Sequence, residues 1–140
     1  MNVYRAPLRS RSDDVDPALT LRRALALGLC GFGERGHGPQ LERRVERFAE
    51  VPEGSLVWTR DPDGWYRLGR LQGAYFYDAD GESVDLVHVR PCRWLDTPIP
   101  ESRCPAAVVK TFGRGGRNFQ QIHDAQVSDA SETLWTELSD

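Results

Sequence analysis

Apolar residues first recur at a helical period after Asp16-Pro17, where Leu21, Ala24 and Leu25 fall on one face. Asp16 has the side chain of an N-cap and Pro17 suits the first helical position. Gly28 can close the helix in a left-handed conformation. The short apolar run of residues 29–33 is punctuated by Gly31 and Gly33 and reads as a strand approached closely by another backbone. A second helix is expected from Pro39, with Leu41, Val45 and Phe48 at i, i+4 and i+7 and Arg43, Arg44 and Arg47 off that stripe. Residues 55–60 and 65–77 read as two strands joined by the turn sequence Asp61-Pro62-Asp63-Gly64, the second bent or bulged at Gly69 and Gly73. A further turn over residues 78–83 leads to a strand over residues 84–90. Pro91, which lacks an N–H, is expected to end its regular pairing.

Beyond Trp94 the chain becomes rich in proline, at Pro98, Pro100 and Pro105. Residues 106–112 are apolar enough for either a helix or a strand, and residues 118–122 are equally open. Between them lies a basic glycine loop, residues 113–117. Asp129 and Glu132 have capping-box spacing ahead of Leu134, Trp135 and Leu138, a stripe suited to a short helix. No internal repeat is evident. The expected fold is α+β: a small curled antiparallel β-barrel with two to three flanking helices. Residues 1–15 lack apolar periodicity and are read as a mobile arm, residues 16–124 as the barrel domain, and residues 125–140 as an acidic tail able to form a short helix.

A chain of 140 residues is one domain's worth, and its four Trp, four Tyr and five Phe can supply one core. No apolar run approaches the ~18 residues of a membrane span, and no basic segment precedes an apolar one at the start, so neither a membrane nor a secretory signal is expected. Three cysteines without a CxxC spacing fit a reducing cytoplasm, and together with His37, His88 and His123 they show no metal-ligand spacing. No cofactor is expected.

The net charge of −3 conceals an asymmetry. The last twenty residues hold five acids and no base, so residues 1–120 carry 18 bases against 16 acids, a charge of +2. Every base but Lys110 is an arginine. A GC-rich coding sequence would produce that bias, and so would selection for the planar guanidinium fork that grips phosphate and stacks on bases.

Several ordered motifs carry a resemblance. They are Gly31-Phe32-Gly33, then Gly54-Ser55-Leu56-Val57, then Tyr66, Gly69, Gly73, Tyr75 and Tyr77. His88, Arg90, Pro91 and Trp94 follow, and the series ends on Arg114, Arg117, Gln120 and Ile122. In this order, over about residues 18–122, they resemble the reader domains of modification-dependent restriction endonucleases, members of the PUA-like superfamily with EVE and YTH relatives. The chain departs from that pattern in having Phe32 where a Trp one position on is expected, and an extra glycine between Arg114 and Arg117. No acid–lysine nuclease pattern follows, so the resemblance implies reading without cleavage.

Such a reader needs rings to stack on a flipped base and arginines to meet phosphate. The resemblance implies a base pocket from Phe32, Trp58, Tyr75, Tyr77, His88 and Trp94, with phosphate contacts from Arg90, Arg114 and Arg117. For each ring the alternative is plain core, and for His88 a structural histidine holding the next loop. The expected partner is nucleic acid, modified DNA in preference to RNA. Two other readings stay open. The acidic tail around Trp135 suits a protein-interaction adaptor in a defence-type system. Lys110 beside Thr111 is similar to the Lys and Thr of ASCH-type small amidohydrolases.

Overall fold

The structure, a computed structural model, describes residues 2–139. Seven strands form one mixed sheet: β1 (Val3–Arg5), β2 (Leu29–Phe32), β3 (Leu56–Arg60), β4 (Tyr66–Leu71), β5 (Phe76–Tyr77), β6 (His88–Trp94) and β7 (Gln120–Gln121). Four α-helices flank it: α1 (Pro17–Leu27), α2 (Pro39–Glu50), α3 (Ala106–Gly113) and α4 (Val127–Leu138). The strand order is β2-β6-β4-β3-β1-β7, with β5 also paired to β6. The α+β class and the curled sheet are as expected, but the sheet stays open as a half-barrel and four α-helices flank it where two to three were expected.

Local signals set the ends of α1. Asp16 accepts from the Ala18 N–H at 3.0 Å, Pro17 opens the helix, and the Gly28 N–H returns to the Ala24 carbonyl. The β3–β4 hairpin is equally local: the Asp61 carboxylate accepts from the N–H groups of Asp63 and Trp65.

The long second strand expected after Trp65 is split. β4 ends at Leu71, and β5 then takes its place along the same edge of β6, pairing Phe76 with Val89 and Tyr77 with His88. The two pieces pass around Pro91, and a Cβ on Gly73 would lie 2.7 Å from the Pro91 ring. Pro91 does not end pairing, because its missing donor is absorbed at this break, where Gln72 donates to the Pro91 carbonyl instead. Strand β6 starts at His88 rather than Val84, since residues 79–84 coil into a 3₁₀ turn. Gly31 pairs with Val89, and a Cβ there would sit 1.8 Å from the His88 carbonyl oxygen, so only glycine lets β2 approach.

The reading of residues 1–15 as an arm is corrected by β1. Val3 is buried, and residues 3–5 run parallel to β3 in the register Val3↔Leu56, making the sheet mixed rather than wholly antiparallel. Arg5, polar enough to suggest an arm, is itself buried. It donates to the carbonyls of Thr111, Gly115 and Asn118 and to the Gln120 side chain, and thereby ties down the glycine loop.

Side chains alternate across the sheet. Val3, Leu56, Trp58 and Leu68 join Val108 of α3 and Leu134 of α4 in the main core. Tyr4, Val57, Leu71 and Cys92 point to the other face, toward a smaller cluster. Helix α4 begins at Val127, ahead of the expected capping box, because Val127, Ser131 and Leu134 are needed as its buried face.

Burial pushes the phenols of Tyr66 and Tyr75 above their usual value of 10 and the Cys104 thiol up from 9 to about 12. The folded chain therefore holds these protons more tightly than the unfolded chain. Stability is fully present below about pH 9 and falls as pH rises through the folded-state values. Urea midpoints are expected to stay level from pH 7 to 9 and decline above 10, and Tyr66→Phe should make the decline shallower.

Candidate functional site

The sheet is not closed: β2 and β7 are its two edges. Residues from both edges line one cleft of about 460 Å³, within the range of roughly 300–1,000 Å³ usual for ligand pockets. Phe32, Gly33 and Glu34 run along and beyond β2, Asn118 to Gln121 run into β7, Tyr4 comes from β1, and Arg44, Arg47 and Phe48 come from α2. Residues 9–11 cross alongside.

Four rings of this lining form a continuous series. Tyr4 stacks on Phe119 (centroids 5.2 Å apart, planes 13° apart), Phe119 meets Phe48 edge-on at 4.9 Å, and Phe48 meets Phe32 edge-on at 5.3 Å. Tyr4 and Phe48 are buried, while Phe32 and Phe119 are half-buried and retain surface toward the opening. Such an arrangement offers planar apolar faces to a flat ligand.

Five arginines line the cleft (Arg9, Arg11, Arg44, Arg47, Arg117) against two carboxylates, Glu34 and Asp85. Glu34 pairs with both Arg11 and Arg44. Asp85 accepts from the Ser10 hydroxyl at 2.5 Å and from the Glu34 N–H at 2.8 Å. Both acids have left-handed backbones, with φ of 81° at Glu34 and 52° at Asp85, strain that is commonest at functional sites. Arg117 donates to the Ser10 carbonyl and to Asp13, whose carboxyl it holds below the usual range. Arg11 also donates to the Asn118 side chain. Arg9 and Arg47 are exposed and make no hydrogen bond or ion pair among the described residues. The cleft therefore keeps a net positive charge and uncommitted guanidinium groups.

Of the residues singled out from sequence, Phe32 and Arg117 line this cleft. His88 lies behind its wall, 5.3 Å from the Phe32 ring. Its Nε2 faces the Glu34 carbonyl at 2.8 Å, and a carbonyl only accepts, so Nε2 carries the proton. Its Nδ1 is hydrogen-bonded to the Tyr75 hydroxyl, 2.9 Å away. Tyr75 stacks on His88, and Tyr77 packs edge-on against it and donates to Glu82. Neither tyrosine lines the cleft.

Trp58 is fully buried in the main core, its indole N–H donating to Ser131, and the Trp94 indole donates to the Leu29 carbonyl. Arg90 is 2% exposed and donates through Nε and Nη1 to the carbonyls of Gly73, Phe48 and Val51, a buried structural setting away from the cleft lining. Arg114 is exposed on the glycine loop, outside the cleft lining. Sequence reasoning missed Tyr4, Phe48 and Phe119, and the arginines at 9, 11, 44 and 47.

Helix α4 is docked. The guanidinium groups of Arg70 and Arg93, cross-strand neighbours, lie 4.7 and 5.4 Å from the centre of the Trp135 ring, and Glu132 takes both terminal nitrogens of Arg70. Lys110 is exposed on α3 and lines neither this cleft nor the hollow beside it. Among the described residues no cluster of three or more His, Cys, Asp or Glu could hold a metal, and no helix is long and apolar enough to cross a membrane.

No protein-family model matches the chain, and no curated protein matches it. Solved structures do. The YTH domain of the MRB1 protein of Zygosaccharomyces rouxii, in complex with N6-methyladenosine RNA, superposes with a TM-score of 0.51 at 12% identity, over 99% of this chain and 89% of that one. A protein of Agrobacterium tumefaciens matches with a TM-score of 0.44 at 10% identity, over 95% of this chain and 92% of that one. The fold is thus similar to that of a YTH domain.

Proposed function

We propose that the protein binds nucleic acid and seats one extruded, modified base in the cleft between its sheet edges. One observation carries this reading: four aromatic rings and a surplus of arginine converge on a single opening of base-accommodating size. Extruding a base costs a few kcal/mol of stacking and pairing. Stacking on protein rings returns about 1–3 kcal/mol per base. An added methyl group on the base enlarges the apolar surface buried there. The side-chain amides of Asn118, Gln120 and Gln121 are at hand for the polar edge of the base. Arg9, Arg47 and Arg117 are placed for the flanking phosphates, and a local patch of this kind acts despite the overall charge of −3. The YTH domain that shares the fold is in complex with modified RNA, which favours the same class of ligand here. A finer form of the proposal is a restriction or defence setting in which a separate effector acts on what this chain reads. That form rests on the sequence resemblance.

Fluorescence anisotropy tests the reading, with DNA and RNA oligonucleotides carrying N6-methyladenine or 5-methylcytosine beside their unmodified twins, at two salt concentrations. Phe119→Ala, at a half-buried ring, is expected to weaken modified oligonucleotides by about 5- to 150-fold, the equivalent of one lost stack, and to erase most of their advantage over unmodified ones. Arg47→Glu should weaken both alike and flatten the salt slope by about one unit per lost contact. Absence of binding to every oligonucleotide at micromolar protein would overturn the proposal.

A further inference from the structure

A second hollow of about 420 Å³ adjoins the first, and the two share Arg9 and Arg117. The two hollows therefore meet at these two arginines. On the far side the lining comes from the start of α1, the β3–β4 turn, the end of α3 and the glycine loop.

This hollow again sets cations beside apolar surfaces, with one aromatic ring, Phe112, where the cleft has four. Arg60 adds a third cation. It is exposed, its guanidinium lies 6.0 Å over the Tyr66 ring, and it makes no hydrogen bond or ion pair among the described residues. The opposing charge is Asp61, whose carboxylate is already engaged by two backbone N–H groups of its own turn. Phe112, Pro62 and Pro17 provide apolar surfaces beside these charges. Cations over a hydrophobic lining suit a phosphate joined to a sugar and a base, and suit a plain apolar ligand poorly.

We infer that this hollow is a second nucleotide subsite. It takes the neighbour of the nucleotide whose base enters the cleft, and the phosphate joining the two is carried across Arg9 and Arg117. The inference rests on the function proposed above and extends it from one base to a two-nucleotide footprint. Arg9 and Arg117 line both hollows, so a phosphate linking two nucleotides seated in them would meet both cations.

The test compares ligand lengths. Affinities are measured by calorimetry for the 5′-monophosphates of N6-methyladenosine and 5-methylcytidine and for dinucleotides carrying each modified base with uridine on its 5′ or 3′ side, with deoxy counterparts. One dinucleotide polarity is expected to bind at least tenfold more tightly than its mononucleotide. Arg60→Glu should remove that gain while leaving the mononucleotide within twofold. Arg60→Lys, which keeps the charge, should retain most of it. Arg22→Glu reverses an exposed charge on α1 outside both linings and should change nothing, which separates local contact from the general field. Thermal melts confirm that each variant is folded, and if Arg60→Glu is not, Arg60→Ala replaces it. Equal affinity for mononucleotides and dinucleotides, or an Arg60→Glu effect of the same size on both, overturns the second subsite and leaves the cleft reading standing. Failure of every mononucleotide and dinucleotide to bind overturns both.

Discussion

A chain cut after His123 is expected to lose its cooperative thermal transition. Helix α4 closes the main core: Val127 and Leu134 are buried in it, and Trp135 and Leu138 pack against its rim. Each fully buried side chain of this size contributes roughly 1.5–3 kcal/mol. Two such residues with two partly buried ones come to about 6 kcal/mol. Removing Ser131 also takes away the hydrogen bond from the Trp58 indole N–H, worth a further ~0.5–1.5 kcal/mol. A total stability of about 5–15 kcal/mol does not survive that loss intact. The acidic character of the helix suggests a different outcome, in which it masks phosphate-binding arginines and its removal strengthens binding. The ion pairs argue otherwise, because Glu132 engages Arg70 and Glu137 engages Arg103, and neither arginine lines the cleft. Circular dichroism across a melt decides between them. A truncated protein that keeps its melting temperature and binds oligonucleotides more tightly would restore the masking idea.

What could be read from the sequence divides by the range of the interactions. The ends of α1 and the β3–β4 turn were legible because Asp16, Gly28 and Asp61 act on backbone groups within four residues. Strands β1 and β7 were not. They have three and two residues, and β1 finds its partner beyond residue 55. Arg5 hides β1 further, since a guanidinium signals exposure unless its buried acceptors are known, and those acceptors come from residues 111–120. The site suffered from the same blindness. Tyr4 and Phe119 lie in or beside those short strands, and Phe48 looked like one more core residue on the stripe of α2. Period-two reasoning placed Tyr75 and Tyr77 together correctly, but the chain leaves β4 at Leu71, so both rings meet at His88 behind the wall of the cleft.

Arg90→Met is expected to lower the melting temperature by about 10 °C and, in the same protein, to blunt discrimination of modified bases without changing the salt slope. Arg90 is buried. Its Nε donates to the Gly73 carbonyl at 2.8 Å and its Nη1 to those of Phe48 and Val51, at 3.1 and 2.5 Å. Two of these acceptors lie at the end of α2, where helical carbonyls lack partners of their own. Methionine fills much of the same space but donates nothing. Phe48 keeps the Val51 N–H at 3.3 Å, while the Gly73 and Val51 carbonyls lose their donor. Each buried orphan costs ~1–3 kcal/mol. A sum near 3 kcal/mol corresponds to roughly 10 °C for a domain of this size. The functional consequence follows from geometry. Arg90 anchors the backbone of Phe48 and lies 6.0 Å over its ring, and that ring is part of the cleft wall. Loosening it should widen the slot for a base even well below the melting temperature. The arginines that face the cleft remain in place, so the salt dependence should hold. A phosphate ligand at this position would behave in the opposite way, with an unchanged melting temperature and a salt slope flatter by about one unit. Measuring both quantities on the one variant separates an arginine that holds the site together from one that touches nucleic acid.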